Sequence, residues 1–184
     1  MGTIPVTPTI VAGSQGTAAQ INAICDVIDF WASSPKCYAY CTSGPSLTTA
    51  VAAVIPLGGE KYDVVNTGDS PGHDLVTNNS RVVAQTGGKY EIVGQVTFAS
   101  NVTGDRQVQT RINSAGAVAG GTLVVLARTT AISGALPVST PPVTVDLAAG
   151  DYIEMFALQS SGGALSVTAS DPANTWLQIR LVGS

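Results

Sequence analysis

The sequence predicts an all-β, antiparallel sandwich or barrel preceded by an extended N-terminal arm and one amphipathic helix. Three observations carry that expectation. A helical hydrophobic period occurs once, between Thr17 and Ser34, and disappears after Pro35. Beyond Pro35, Val, Thr, Ala and Gly dominate short runs separated by Gly, Pro, Asn and Asp clusters, which is strand and turn chemistry. About ten such runs follow without an intervening helical pattern, which favours antiparallel β structure over a parallel α/β sheet.

Residues 1–16 hold two prolines and three glycines around short apolar steps and read as an extended arm. Thr17-Ala18-Ala19-Gln20 is a capping box: the Thr17 hydroxyl can accept a backbone N–H three residues on, while Gln20 reaches back. Ile21, Ile24, Cys25, Ile28 and Trp31 or Ala32 follow at helical spacing as one apolar stripe, with Asn22, Asp26 and Asp29 facing away. Ser33-Ser34-Pro35 ends the helix after about four turns, near 22 Å. The chain thus divides into an arm and helix, residues 1–35, serving attachment, and a sandwich over residues 36–184.

The clearest strand is Tyr90 to Phe98, where Tyr90, Ile92, Gly94, Val96 and Phe98 share one face. Gly87-Gly88 supplies the turn before it and Asn101 to Asp105 the turn after. Further strands are expected at Gln107–Asn113, Gly121–Thr129, Val143–Leu147, Asp151–Gln159, Leu165–Ala169 and Thr175–Val182. Weaker signals fall at Cys37–Thr42, Ala50–Ile55, Tyr62–Val65 and Ser80–Ala84. Tyr90, Phe98, Phe156, Leu177, Ile179 and Leu181 are the expected core, and no internal repeat is evident.

Composition narrows function. Apolar residues make up 45 % of the 184 and charged residues 11 %, against about 25 % charged in an ordinary soluble domain. Such a surface must be covered by small polar residues or by partner subunits. The net charge of −4 and the lack of a basic cluster speak against nucleic-acid and anionic-membrane partners. The start Met1-Gly2-Thr3-Ile4-Pro5-Val6 lacks a basic secretory n-region, and Val6 breaks the myristoylation pattern. No apolar run approaches the roughly 20 residues of a membrane span. The expectation is a soluble product made in the cytoplasm.

Three cysteines, Cys25, Cys37 and Cys41, cannot all pair within one chain. On an extended Lys36–Cys41 run the last two lie about 13 Å apart, beyond disulfide reach, so all three read as reduced, packed thiols. Zinc is the alternative, but no Cys-x-x-Cys pair exists and His73 is remote in sequence. Gly68-Asp69-Ser70-Pro71-Gly72 matches G-x-S-x-G with His73 next to it, yet Pro71 has no N–H to give an oxyanion hole and no helix follows the serine. A solvated turn is the expectation there. Asp63, Asp69 and Asp74 flank this loop and offer calcium ligands without EF-hand spacing, a solvated acidic loop being the plainer reading. Gly58-Gly59-Glu60-Lys61 lacks phosphate-loop spacing and reads as a turn, and no cofactor is expected. The glycosylation sequons Asn78-Asn79-Ser80 and Asn101-Val102-Thr103 matter only on a secretory route. Phe30 and Trp31 end the helix and Tyr38 and Tyr40 follow closely, either as an exposed ligand platform or, in the favoured reading, with Phe30 or Trp31 packing the helix onto the sandwich or a neighbouring subunit.

Two parts of the chain resemble known groups. Gly88-Lys89-Tyr90-Glu91-Ile92 through Phe98, Leu147-Ala148-Ala149-Gly150-Asp151-Tyr152-Ile153-Glu154 with Gln159-Ser160-Ser161-Gly162, and Trp176-Leu177-Gln178-Ile179-Arg180-Leu181 resemble the strand signatures of the C1q and tumour-necrosis-factor jelly roll, in order and spacing. Pro8-Thr9-Ile10-Val11-Ala12-Gly13, Thr17-Ala18-Ala19-Gln20-Ile21-Asn22 and Phe30–Cys37 resemble the region preceding such a domain in virion structural proteins of tailed actinobacteriophages. The chain departs from that pattern at Val11, where tryptophan is frequent, and in its glycine and alanine richness.

The resemblance implies a jelly-roll homotrimer that binds and does not catalyse. The leading expectation is a capsid decoration protein of the virion, made in the bacterial cytoplasm, with itself and the major capsid protein as partners. Its assembly residues would be Ile21, Ile24, Cys25, Ile28 and Trp31. The alternative is a tail, baseplate or fibre-associated protein binding a host surface polysaccharide. An envelope esterase would rest on the defective Gly68–Gly72 motif alone.

Overall fold

The computed structural model describes residues 3–169 and 172–184, and these carry one helix and thirteen strands. Met1 and Gly2, the start of the predicted arm, lie outside the described residues. Helix α1 spans Ala18–Ala32 and begins at the capping box: Thr17 N–H donates to Gln20 Oε1 at 2.9 Å and Gln20 N–H to Thr17 Oγ1 at 3.2 Å. Ser33 closes it, its N–H donating to the Asp29 carbonyl.

The strands are β1 (Lys36–Tyr40), β2 (Ser46–Leu47), β3 (Ala53–Val54), β4 (Gly59–Val64), β5 (Arg81–Val83), β6 (Gly88–Phe98) and β7 (Asp105–Ile112). After them come β8 (Thr122–Thr130), β9 (Leu136–Ser139), β10 (Val143–Leu147), β11 (Tyr152–Gln159), β12 (Leu165–Thr168) and β13 (Trp176–Gly183). They form two antiparallel sheets around one core. The larger runs β2-β12-β6-β13-β1-β4, with β9 and β10 also pairing β6; the smaller runs β3-β11-β7-β8, with β5 also on β11.

The 11-residue β6 is the spine of the larger sheet, pairing β13 and β12 as well as β10 and β9. Its alternation falls as the sequence predicts: Tyr90, Ile92, Val96 and Phe98 are buried, as are Leu177, Ile179 and Leu181 of β13. Val108, Ile153, Met155 and Ala157 meet them from the smaller sheet. At Gly94 the two sheets approach closely, since a Cβ there would lie 2.8 Å from Met155 Sδ.

Phe156 is buried but stands apart from that core, because successive side chains of β11 alternate faces and Ile153, Met155 and Ala157 take the inner one. Its face also carries Glu154, 1 % exposed, whose Oε1 accepts from Ser80 Oγ and Arg81 Nε and whose Oε2 accepts from Ser114 Oγ and Gly116 N–H. One carboxylate therefore ties β11 to β5 and to the β7–β8 connection.

Two strands lie outside the sequence expectation, β2 and β9. Pro137 sits inside β9, which pairs β6 at the rim of the sheet, where a missing N–H leaves the ladder intact. The expected strand at Ala50–Ile55 shrinks to β3, because Ala50 adopts φ 59° and Val51 N–H closes a turn on the Thr48 carbonyl.

Candidate assembly surface

Most of the expected helical stripe lies uncovered. Ile21 is 55 % and Ile28 60 % exposed, Trp31 39 %, Cys25 is exposed and Ile24 half-buried. The residue that seats α1 on the sandwich is Phe30, 9 % exposed and part of the core. Half-buried Ala23 and Val27 share the Phe30 side of the helix. The helix thus has two apolar faces, and its own domain uses the one that the stripe does not. Phe30 and Trp31 meet edge to face at 5.2 Å, so the anchored ring fixes its exposed neighbour.

Part of the arm is also tied down. Ile4 packs against the core, its Cδ1 close over Gly88 beside Leu181. Gln20 Nε2 donates to the Thr9 carbonyl at 3.0 Å, and Ser14 closes a turn on Val11. Val6, Ile10 and Val11 remain exposed. An open groove of about 420 Å³ separates arm and helix from the loop after β4, lined by Thr3, Pro5, Asp26, Asp29, Phe30 and Asn66 among others.

The Gly68–Gly72 loop departs from the solvated turn expected of it. Ser70 and Pro71 are exposed, but Gly72 and His73 are buried, and His73 bridges to Val82. Its Nδ1 lies 2.9 Å from Glu60 Oε1, its Nε2 3.1 Å from the Asn79 carbonyl, and its backbone N–H donates to Asp63 Oδ2 at 3.0 Å. With both ring nitrogens committed, the imidazole is not placed to take a proton from Ser70. Glu60, thirteen residues upstream, decides this burial, and no local pattern signals it.

The three aspartates occupy different settings, and Asp69 is half-buried with its N–H donating to the Asn66 carbonyl. Asp74 is exposed, and the N–H groups of Thr77 and Val76 hold its carboxyl below the usual carboxylate range. Asp63 is half-buried, and burial pushes its carboxyl up. Among the described residues no three His, Cys, Asp or Glu side chains converge as a metal site. The cysteines are all free: Cys37 and Cys41 are buried, burial pushes both thiols up, and Asp63 and Glu60 add to the effect on Cys37. Their thiolates are suppressed.

The aromatic residues divide otherwise than in the sequence grouping. Tyr38 points outward from β1, stacks on Trp176 at 5.2 Å, meets Tyr62 at 5.9 Å and lies under Lys61 Nζ at 4.8 Å. Its hydroxyl donates to the Pro172 carbonyl. Sequence reasoning missed Tyr62 and Trp176; the alternation of inward Cys37, Ala39 and Cys41 with outward Tyr38 and Tyr40 was the available signal. On the smaller sheet, β8 pairs only β7 among the described residues and exposes Leu123 and Leu126 at the edge.

No family model and no curated protein sequence matches the chain. Among solved structures it is similar to murine APRIL at pH 5.0, at TM-score 0.59 and 13 % identity over 80 % of this chain and 98 % of that one. Eiger TNF from S. frugiperda gives 0.60 and 10 % over 82 % and 93 %. The globular domain of zebrafish complement 1qA protein gives 0.51 and 12 % over 80 % and 97 %. The fold is a jelly roll of the TNF and C1q kind.

Proposed function

We propose that this chain is a non-enzymatic structural subunit of a phage virion, a homotrimeric decoration protein that binds and stabilises the capsid shell. The observation that carries the reading is the uncovered apolar surface: Ile21, Ile28 and Trp31 on α1, Val6 and Val11 on the arm, and Leu123 and Leu126 on β8. In a chain with 11 % charged residues, such patches mark surfaces that partners cover. The C1q/TNF resemblance implies the trimer, and the resemblance of the arm and helix to the N-terminal region of actinobacteriophage structural proteins supplies the virion setting. The alternative, a tail or baseplate protein binding host polysaccharide, would draw on the outward Tyr38, Tyr62 and Trp176, though Trp176 and Lys61 already occupy positions over the Tyr38 ring.

Quantifying the polypeptide against the major capsid protein in purified particles tests the reading. Near-stoichiometric copies support decoration; a few per particle point to the tail, and none overturns the virion assignment. The chain lacking residues 1–16 should keep its β circular dichroism and co-sediment more weakly with undecorated shells. Undiminished binding would sink the anchoring role of the arm.

A further inference from the structure

The uncovered stripe of α1 has a specific spacing. Ile21, Ile24, Ile28 and Trp31 lie three, four and three residues apart, the a-d-a-d positions of two heptads. The flanking positions carry Gln20, Cys25 and Val27, while Asp26 and Asp29 fall on the outside of such a seam. We infer that the α1 helices of three copies pack in parallel along this seam as a short three-helix bundle on the trimer axis, and that the arm is left to grip the shell. The inference rests on the homotrimer proposed above and assigns the helix to self-assembly.

Three points select a second and third copy of this chain as the occupant. Isoleucine at both a and d favours three or four strands over two. No charged side chain stands on the seam or beside it, so like helices meet without repulsion, whereas the aspartates that identical copies would have to separate are turned outward. The d-position Trp31 is held against Phe30, which is itself buried in the core cluster, so one end of the seam is tied to the sandwich. The area involved fits a supporting contact: covering Ile21, Ile28 and Trp31 removes on the order of 300 Å² per copy, roughly 900 Å² for three, below the about 1,200 Å² at which a specific interface stands alone. The bundle therefore adds to contacts between the sandwich bodies and does not replace them.

Cys25 makes the inference testable in the full-length protein. It flanks the seam and is exposed, while Cys37 and Cys41 are buried. Helix axes in such a bundle stand about 8–10 Å apart, which a short bis-maleimide spans. Treated at low micromolar concentration, the protein should give a cross-linked dimer on a denaturing gel, and Cys25→Ser should abolish it. A thiol moved to the outside of the seam, Asp29→Cys in the Cys25→Ser background, should give several-fold less dimer. Ile24→Asn with Ile28→Asn should raise the concentration at which the trimer dissociates at least tenfold while leaving the β circular dichroism unchanged. A trimer by sedimentation that neither cross-links through Cys25 nor weakens in the Asn variant overturns the bundle and leaves the trimer standing. A monomer by sedimentation overturns both.

Discussion

Replacing Glu154 by Gln perturbs the most heavily bonded buried carboxylate described above. Its oxygens receive four donors, at 2.9 and 3.2 Å on Oε1 and at 2.6 and 2.8 Å on Oε2. The Ser80 and Ser114 hydroxyls can rotate to accept from an amide; Gly116 N–H and Arg81 Nε–H cannot. Whichever way the introduced amide turns, its NH₂ faces one of these obligate donors. One part-buried donor loses its acceptor, at the low end of the about 1–3 kcal/mol that an unmet donor costs, and the remaining charge-assisted bonds weaken to neutral ones. The loss expected at neutral pH is therefore about 2–4 kcal/mol.

The acid limb gives a second, independent check. Burial alone would raise the Glu154 carboxyl, but the bonds from Ser114, Gly116, Ser80 and Arg81 outweigh it and hold the group below its ordinary value of 4.5. A depressed folded-state value means that the unfolded chain takes up the proton first. The stabilisation is thus complete above the ordinary value and is lost as pH falls through the lower, folded one. Urea unfolding of both proteins at a series of pH values from 7 to 3 measures the difference. It should stay constant down to about pH 5 and then shrink as wild type loses its ionised carboxylate. Taking the difference cancels Asp63, whose raised carboxyl acts in the opposite direction. A gap that persists unchanged at pH 3, or is absent at pH 7, would refute the reasoning.

Leu181→Ala, in a side chain 3 % exposed against the core, should cost about 2–5 kcal/mol in the same urea assay; a near-zero change would mean that the β13 faces are reversed. His73→Ala should lower stability by about 1–3 kcal/mol, because it removes a buried side chain bonded to Glu60 and to the Asn79 carbonyl, whereas Ser70→Ala should stay within about 0.5 kcal/mol. Equal melting shifts for the two would contradict the buried histidine. Alkylation of the native protein followed by mass spectrometry should modify Cys25 alone, and all three cysteines only after denaturation; rapid native labelling of Cys37 would count against its burial.

What the sequence made legible was whatever local pattern decides. The capping box formed between Thr17 and Gln20 because both partners lie within one turn. Tyr90 to Val96 and Leu177 to Leu181 alternate because each strand has one buried and one more open face, and the pattern breaks at Thr97, which is buried where it bonds Thr175 and the Asn174 carbonyl. β9 was hidden because a rim strand can contain Pro137 at no cost to the ladder. Phe156 was recognised as buried, but a strand covered on both faces gives no period to say which side is core. The helix shows the same limit: Phe30 and Trp31 are adjacent, about 100° apart on the helical wheel, and two apolar faces overlap. Which one docks at home depends on what it meets, and the surroundings of Phe30 include the arm and the loop after β4, both remote from the helix pattern.

That division of the helix changes how the N-terminal region works. An unattached arm and helix would charge their full ordering cost, roughly 1–2 kcal/mol of backbone entropy per residue, to the binding step. Here three internal contacts have already met part of it: Ile4 against the core, Gln20 on the Thr9 carbonyl, and Phe30 beneath the helix. Folding thus ties down part of the arm as well as the helix, and what is left for assembly is to cover the exposed side chains of Val6, Ile10 and Val11. Preorganisation of this kind strengthens association without adding a contact at the interface. It also means that the apolar side chains still facing water, Val6, Ile10 and Val11 on the arm and Ile21, Ile28 and Trp31 on the helix, are presented from a partly fixed frame, so their spacing can select a partner as well as hold one.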